Sequence, residues 1–333
     1  MMLSRRQPQI VALGVLILAA AAGSQTVTVN QASHMSYGTS RSSYSPPRTP
    51  WGDPDLQGAF SNSDERNIPM ARPDGLKGFP IQHFPKAELA RLNRQRNLQL
   101  RSGGNEWEEV YEPTQINNSR PWLVSDPPDG KIPATVEARM RDFRKEFSTN
   151  RNGTALPLES YDLQTRCVTR GLPGSMMPDI YGNAYEIVQA PGIVAITYEA
   201  IHEARIIYLD GRPHVRGGIR TYLGDARGRF EGDSLVVETT NFNGRMPFYL
   251  SSDHLILVER FTPIAPGVLE WSVTLDDRTT WVRPWTAQVP MIRNPEPMYE
   301  YACHEGNYGM TNLLSAARAI EKASDEAAKK RSR

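Results

Sequence analysis

Apolar and polar residues alternate with a period of two through much of the stretch from Tyr185 to Arg293. Leu269, Trp271, Val273 and Leu275 fall on one side of an extended chain, and Glu270, Ser272 and Thr274 on the other. Half-buried antiparallel strands have this pattern. Turn chemistry punctuates the stretch. Pro191-Gly192 separates 184–189 from 193–199, and Asp210-Gly211 ends 204–209. Gly232-Asp233 joins 228–231 to 234–240, Ala265-Pro266-Gly267 joins 254–262 to 268–276, and 280–292 closes the set. About eight consecutive, mostly hairpin-linked strands result. They predict a mainly β fold, either an antiparallel barrel of lipocalin-like size or a two-sheet sandwich. A barrel leaves no exposed edge, which favours it.

Elsewhere the pattern is helical or irregular. Leu89, Leu92 and Leu100 predict a helix over 86–101. Val136, Met140 and Phe143 predict another over 135–147, with Thr135 as N-cap. A third follows from about Asn312, where Leu313, Leu314, Ala317 and Ile320 share a face. The region 49–183 has too few patterned apolar residues for a core of its own. It reads as an irregular wrap, with Trp51 a buried-type tryptophan, around a β core at 184–293. With the C-terminal helix at 306–333 it forms one domain, 49–333.

The N-terminus carries Arg5-Arg6, an apolar run over 10–22, and Gly23-Ser24. This is a secretory signal over 1–24, with cleavage expected after Ser24. The run is short of the ~20 residues of a membrane span, although a retained anchor is the alternative. Residues 25–48, rich in Ser, Thr and Gln, read as a disordered linker. The expected address is periplasmic or secreted, with no membrane association after signal removal. The net charge of +1 offers no nucleic-acid footprint. In an oxidising compartment the two cysteines, Cys167 and Cys303, suggest a disulfide. Two free buried thiols are the alternative, since spacing alone does not bring their Cα atoms together.

Candidate chemistry gathers where polar groups interrupt apolar strands. Glu199, His202, Glu203, Arg205 and His214 lie in one such stretch. A histidine beside a carboxylate is an acid/base pair, and an arginine clamps an anion. On this reading His202 is the acid or base, Glu199 its orienter and Arg205 the clamp; a cross-strand ion-pair network is the structural alternative. Trp281, Arg283 and Trp285 share a strand face. Turned inward with Tyr198 and His214, they would line a site for a planar ligand; turned outward, they form a cation–π ladder. His202, His214 and His304 with nearby glutamates match no metal-ligand spacing, so no metal is assigned. Ser251-Ser252-Asp253-His254 sets hydroxyls beside an acid and a base, but strand neighbours point to opposite faces. Glycine-rich phosphate loops and dinucleotide fingerprints are absent, so no cofactor is expected.

Four segments are familiar together: 49–58 (TPWGDPDLQG), 170–174 (RGLPG), 227–237 (RGRFEGDSLVV) and 299–307 (YEYACHEGN). The chain from Thr49 to about Glu321 resembles a family of secreted bacterial proteins of unassigned function. The resemblance implies export but brings no catalytic residues. Two readings follow for a small-molecule partner. One is a cofactor-independent acid/base enzyme (lyase, isomerase or hydrolase), in which His202 lines the main cavity with Arg283. The other is a barrel that only binds its ligand.

Overall fold

The structure is a computed structural model that describes residues 44–102, 117–139 and 163–331. The signal segment, most of the linker, and Met140 and Phe143 lie outside the described residues. Residues 44–48, read as linker, are ordered: Arg48 pairs with Asp233 at 2.5 Å, and Pro47 accepts a bond from the Asp55 N–H.

Among the described residues ten strands form one sheet. They are β1 (Gly58–Ser61), β2 (Val124–Asp126), β3 (Ala184–Ala190), β4 (Ile193–Tyr198), β5 (Ala204–Tyr208), β6 (Asp225–Glu231), β7 (Ser234–Thr240), β8 (Ile256–Ala265), β9 (Val268–Asp276) and β10 (Trp285–Arg293). The sheet runs β1-β3-β4-β5-β6-β7-β8-β9-β10 and closes where β1 pairs with β10. The mainly β barrel expected from the alternation is therefore present, with nine staves. The ninth is β1, four residues supplied by the region expected to wrap irregularly. It bonds β3 along Gly58↔Ile187 to Ser61↔Ala184, and β10 at Phe60↔Arg293 and Ser61↔Ile292. The other half of that β10 edge is taken by β2.

Every stave pair is antiparallel except β5–β6, which is parallel and meets at the single register pair Tyr208↔Arg227. A parallel neighbour needs a crossover, and residues 209–224 supply it along the outside. Side chains reinforce this seam: the Arg212 and Arg227 guanidiniums lie 4.1 and 5.5 Å from the centre of the Tyr208 ring.

Because side chains alternate across each stave, one set fills the interior. Tyr185, Ile187, Val194, Ile196, Tyr198, Leu235, Val237, Phe261, Trp271, Trp285 and Val289 are all at most 1% exposed. Each large apolar side chain so buried stabilises the fold by roughly 1.5–3 kcal/mol. Among the described residues these side chains pack against one another as the core of the barrel. A small cleft lined by Leu172, Tyr222, Phe242, Met246, Ser251 and Leu255 holds about 10 Å³, room for a single water.

The two ends are closed differently. At the lower end Gln189 anchors the segment before β1, accepting the Leu56 N–H at 2.6 Å and donating to the Pro54 carbonyl at 3.1 Å. Trp51 is surface-exposed there and donates to Asp53, contrary to its expected burial. At the upper end residues 169–183 form a cap leading into β3. Gly171 has φ +65°, and a Cβ there would stand 2.8 Å from the Met246 Cγ. The RGLPG glycine thus fits a backbone that L side chains rarely adopt, in a gap without room for a methyl group.

Helix α1 (Lys86–Ser102) forms where expected, but its buried side chains are polar. Asn93 and Arg96 donate to the backbone and side chain of Asn118 and to the Pro121 carbonyl. Thr135 caps the next helical turn through a 3.0 Å bond from the Ala138 N–H. Val136, expected inside, is 74% exposed, and Ala138 is buried in its place. Helix α2 (Tyr308–Arg331) lies within the expected 306–333 and begins before Asn312, and of its predicted stripe only Ala317 is buried.

Candidate functional site

The proposed trio of His202, Glu199 and Arg205 does not assemble. Arg205 points into the barrel and forms a bidentate pair with Glu259 of β8, at 2.5 and 2.8 Å. Trp271 Nε1 donates to the same carboxylate at 3.0 Å. Burial works against the Arg205 charge, but Glu259 and the neighbouring Tyr198 outweigh it and push the group's pKa up. Arg205 is a buried cation with a committed partner, out of a substrate's reach. Tyr198 is likewise fully buried, its phenol pushed up by burial, and lines no ligand cavity.

Glu199 is committed as well. Its carboxylate accepts the Ala184 N–H at 3.0 Å, while its own N–H donates to the Ala184 carbonyl. It closes the upper end of the β3–β4 hairpin and does not orient His202.

The break between β4 and β5 is an unusual local feature; the only other adjacent pair of non-glycine residues at positive φ among the described residues is Tyr249 and Leu250. Residues 200–202 make a short 3-10 turn in which Ile201 and His202 both sit at positive φ, 62° and 55°. The left-handed region is costly for non-glycine residues, and most so for a β-branched one. The turn sets His202 outward and Glu203 beneath it, into the cap. His202 is exposed, and its Nε2 accepts the Tyr301 N–H at 3.0 Å. The proton on the neutral ring therefore sits on Nδ1.

Glu203, present in the cluster but given no role by the sequence, is the best-placed carboxylate. Its Oε2 accepts the Arg170 N–H at 3.2 Å and the Ser175 hydroxyl at 3.3 Å. Burial raises its pKa, only partly opposed by hydrogen bonds from Thr169, Arg170 and Ser175. Arg170 pairs with Asp179 across the cap. Beside them the Tyr181 and Tyr301 rings stack at 5.8 Å with their hydroxyls 3.4 Å apart. Burial pushes the Tyr301 phenol well above its ordinary value. Two of the four familiar segments, 170–174 and 299–307, converge here. They are joined by the Cys167–Cys303 disulfide, with Cα atoms 5.9 Å apart. Their spacing in the chain, 136 residues, concealed this meeting.

The remaining candidates stand elsewhere. His214 lies on the crossover outside the barrel, with Nδ1 2.9 Å from Asp225 and Nε2 3.3 Å from Glu238. It clamps the crossover to β6 and β7 and is not part of the His202 cluster. Arg283 does not share a face with the tryptophans, because residues 281–284 lie outside the strand; it is held by Asp126 at 2.7 and 2.9 Å. The expected cavity shared with His202 therefore finds this guanidinium already paired with a carboxylate. Trp281 and Trp285 are buried and meet edge to face at 5.5 Å, so they pack the upper end without offering a floor to a ligand. Residues 251–254 form a turn, not a strand. There Ser252 Oγ (3.4 Å) and Asp253 Oδ1 (3.0 Å) approach the same nitrogen of His254. A serine relay needs the acid on the other nitrogen. No group of three His, Cys, Asp or Glu side chains stands together for a metal among the described residues.

The fold and its upper end define a nine-stave β-barrel with a packed interior and a disulfide-bonded cap. Among the described residues no helix is long and apolar enough to cross a membrane. No family model matches the chain, and no curated protein matches it. Among solved structures it is similar to an abundant heat soluble (SAHS) protein from Ramazzottius varieornatus. The identity is 9% and the TM-score 0.23, over 33% of this chain and 70% of the other. A likeness at that level carries no argument about function.

Proposed function

We propose that the chain is an exported barrel that handles a small organic molecule at its capped upper end, by acid/base chemistry centred on Glu203 and His202. The observation that carries this reading is the left-handed backbone at Ile201 and His202. Strain of this kind persists only where the surroundings hold it, and it gathers at functional sites. Here it presents an exposed imidazole next to a half-buried carboxyl. With its pKa raised by burial, Glu203 holds a proton more readily than an ordinary glutamate and suits a general acid. Ser175 and the Arg170 N–H fix its orientation. Export is supported by the basic-apolar N-terminus and by the disulfide, which persists in oxidising compartments. Membership of the secreted family that the four segments resemble is part of the same proposal.

The packed interior favours an end-on site over a ligand held inside the barrel. The test is a thermal-shift screen of small organic acids, amides and phenols, run with and without dithiothreitol. Compounds that stabilise the wild type should lose their effect in His202→Ala and Glu203→Gln, and keep it in Val188→Ala on the outer wall. Equal responses in all four proteins would reject the reading.

A further inference from the structure

We infer that residues 294–307 are a redox-locked strap over the His202–Glu203 cluster, and that reduction of Cys167–Cys303 releases it while the barrel stays folded. The inference rests on the site proposed above. The strap begins at the lower end, where the Asn294 N–H donates to the Ala59 carbonyl, and runs back to the upper end. Residues 295–300 have no strand pairing, and Pro295, Glu296, Pro297, Tyr299 and Glu300 are exposed. At the upper end the hold is local. Tyr301 donates its N–H to His202 and stacks on Tyr181. Cys303 bonds Cys167, and Asn307 donates to the Thr165 carbonyl at 2.8 Å and approaches Cys167 Sγ at 3.2 Å.

Two features make the disulfide a lock on the strap and not a staple of the barrel. Neither cysteine lies in a stave: Cys167 precedes the cap and Cys303 follows β10. The ring of staves is closed by β1 on β10, without the strap. What the strap occupies is the ring nitrogen His202 would use as a base: with the Tyr301 N–H on Nε2, that lone pair is engaged. Cys303 is half-exposed and Cys167 buried, which leaves Cys303 as the sulfur open to attack. A dithiol reductant attacks it and is itself oxidised to a disulfide; the Cys167–Cys303 bond breaks and each sulfur leaves with a proton. The strap is then held by one stacked ring pair and a few hydrogen bonds, and His202 Nε2 becomes available.

The test is amide hydrogen exchange with imidazole nitrogen NMR on the whole protein, before and after dithiothreitol, with a thiol count confirming two free cysteines. The expected result is an exchange rate at Tyr301 faster by at least about tenfold, and loss of the hydrogen-bond signature at His202 Nε2. Amides of β7, β8 and β9 should keep their protection. The Cys167→Ser/Cys303→Ser protein should reproduce the reduced form. Unchanged protection at Tyr301 in fully reduced protein would overturn the inference. So would joint loss of protection in the staves, because the disulfide would then hold the barrel. No ligand enters the measurement, so its failure is distinct from failure of the site reading.

Discussion

Arg205 on β5 and Glu259 on β8 face each other across the interior of the barrel and join through two hydrogen bonds of 2.5 and 2.8 Å. Both residues are 5% exposed or less. The pair turns the middle of the core into an ionic bridge between staves that are not neighbours in the ring.

Burying two charges carries a desolvation cost that their attraction does not reliably exceed, whereas leaving one buried charge alone is severe. Glu259→Leu alone should therefore lose about 3–5 kcal/mol in urea unfolding. The double variant Arg205→Met/Glu259→Leu should recover most of that loss. Equal losses in the single and double variants would mean the pair is a net stabiliser of the fold.

The cap depends on Gly171. Its φ of +65° and its approach to Met246 leave no room for a methyl group. Gly171→Ala should cost about 1–2 kcal/mol from the left-handed backbone alone, and more where Met246 cannot move. Gly192, at a hairpin with open space around it, is the control: its alanine variant meets the backbone cost without the clash. Equal melting temperatures for the two variants would contradict the packing argument.

The strands were legible because alternation records which face of a stave is buried. Leu269, Trp271, Val273 and Leu275 appear on the interior face as read. The closing stave was not legible, because the four residues of β1, Gly-Ala-Phe-Ser, carry no period; its pairing is decided by partners more than a hundred residues away. Polar residues misled more than apolar ones. Arg205 alternates in phase with Ile207, which correctly indicates the interior, yet its partner Glu259 could not be named from the chain. Glu199, His202 and Glu203 were close enough in sequence to look like one site. A turn with two left-handed residues sends them to separate partners. The meeting of segments 170–174 and 299–307 was legible only through the expected disulfide.

Glu203 gives a pH signature. Its folded pKa is raised by burial above about 4.3 in the unfolded chain. Between those values the native state holds a proton that the unfolded state has released, so stability falls as pH rises through the window. Glu203→Gln removes the titration. The stability of the variant relative to wild type should therefore increase as pH rises from about 4 toward neutrality. A constant difference across that range, followed by chemical denaturation at fixed salt, would show that the carboxyl is not raised.

The central claim is that the working surface is the capped end and not the barrel interior. The most direct measurement is a crystal of the wild-type protein soaked, with and without dithiothreitol, in a panel of small organic acids, amides and phenols. The account predicts bound compounds against His202, Glu203 and Tyr181, with Trp271, Phe261 and the Arg205–Glu259 pair unmoved. Compounds found inside the barrel, displacing Trp271 or parting Arg205 from Glu259, would contradict it.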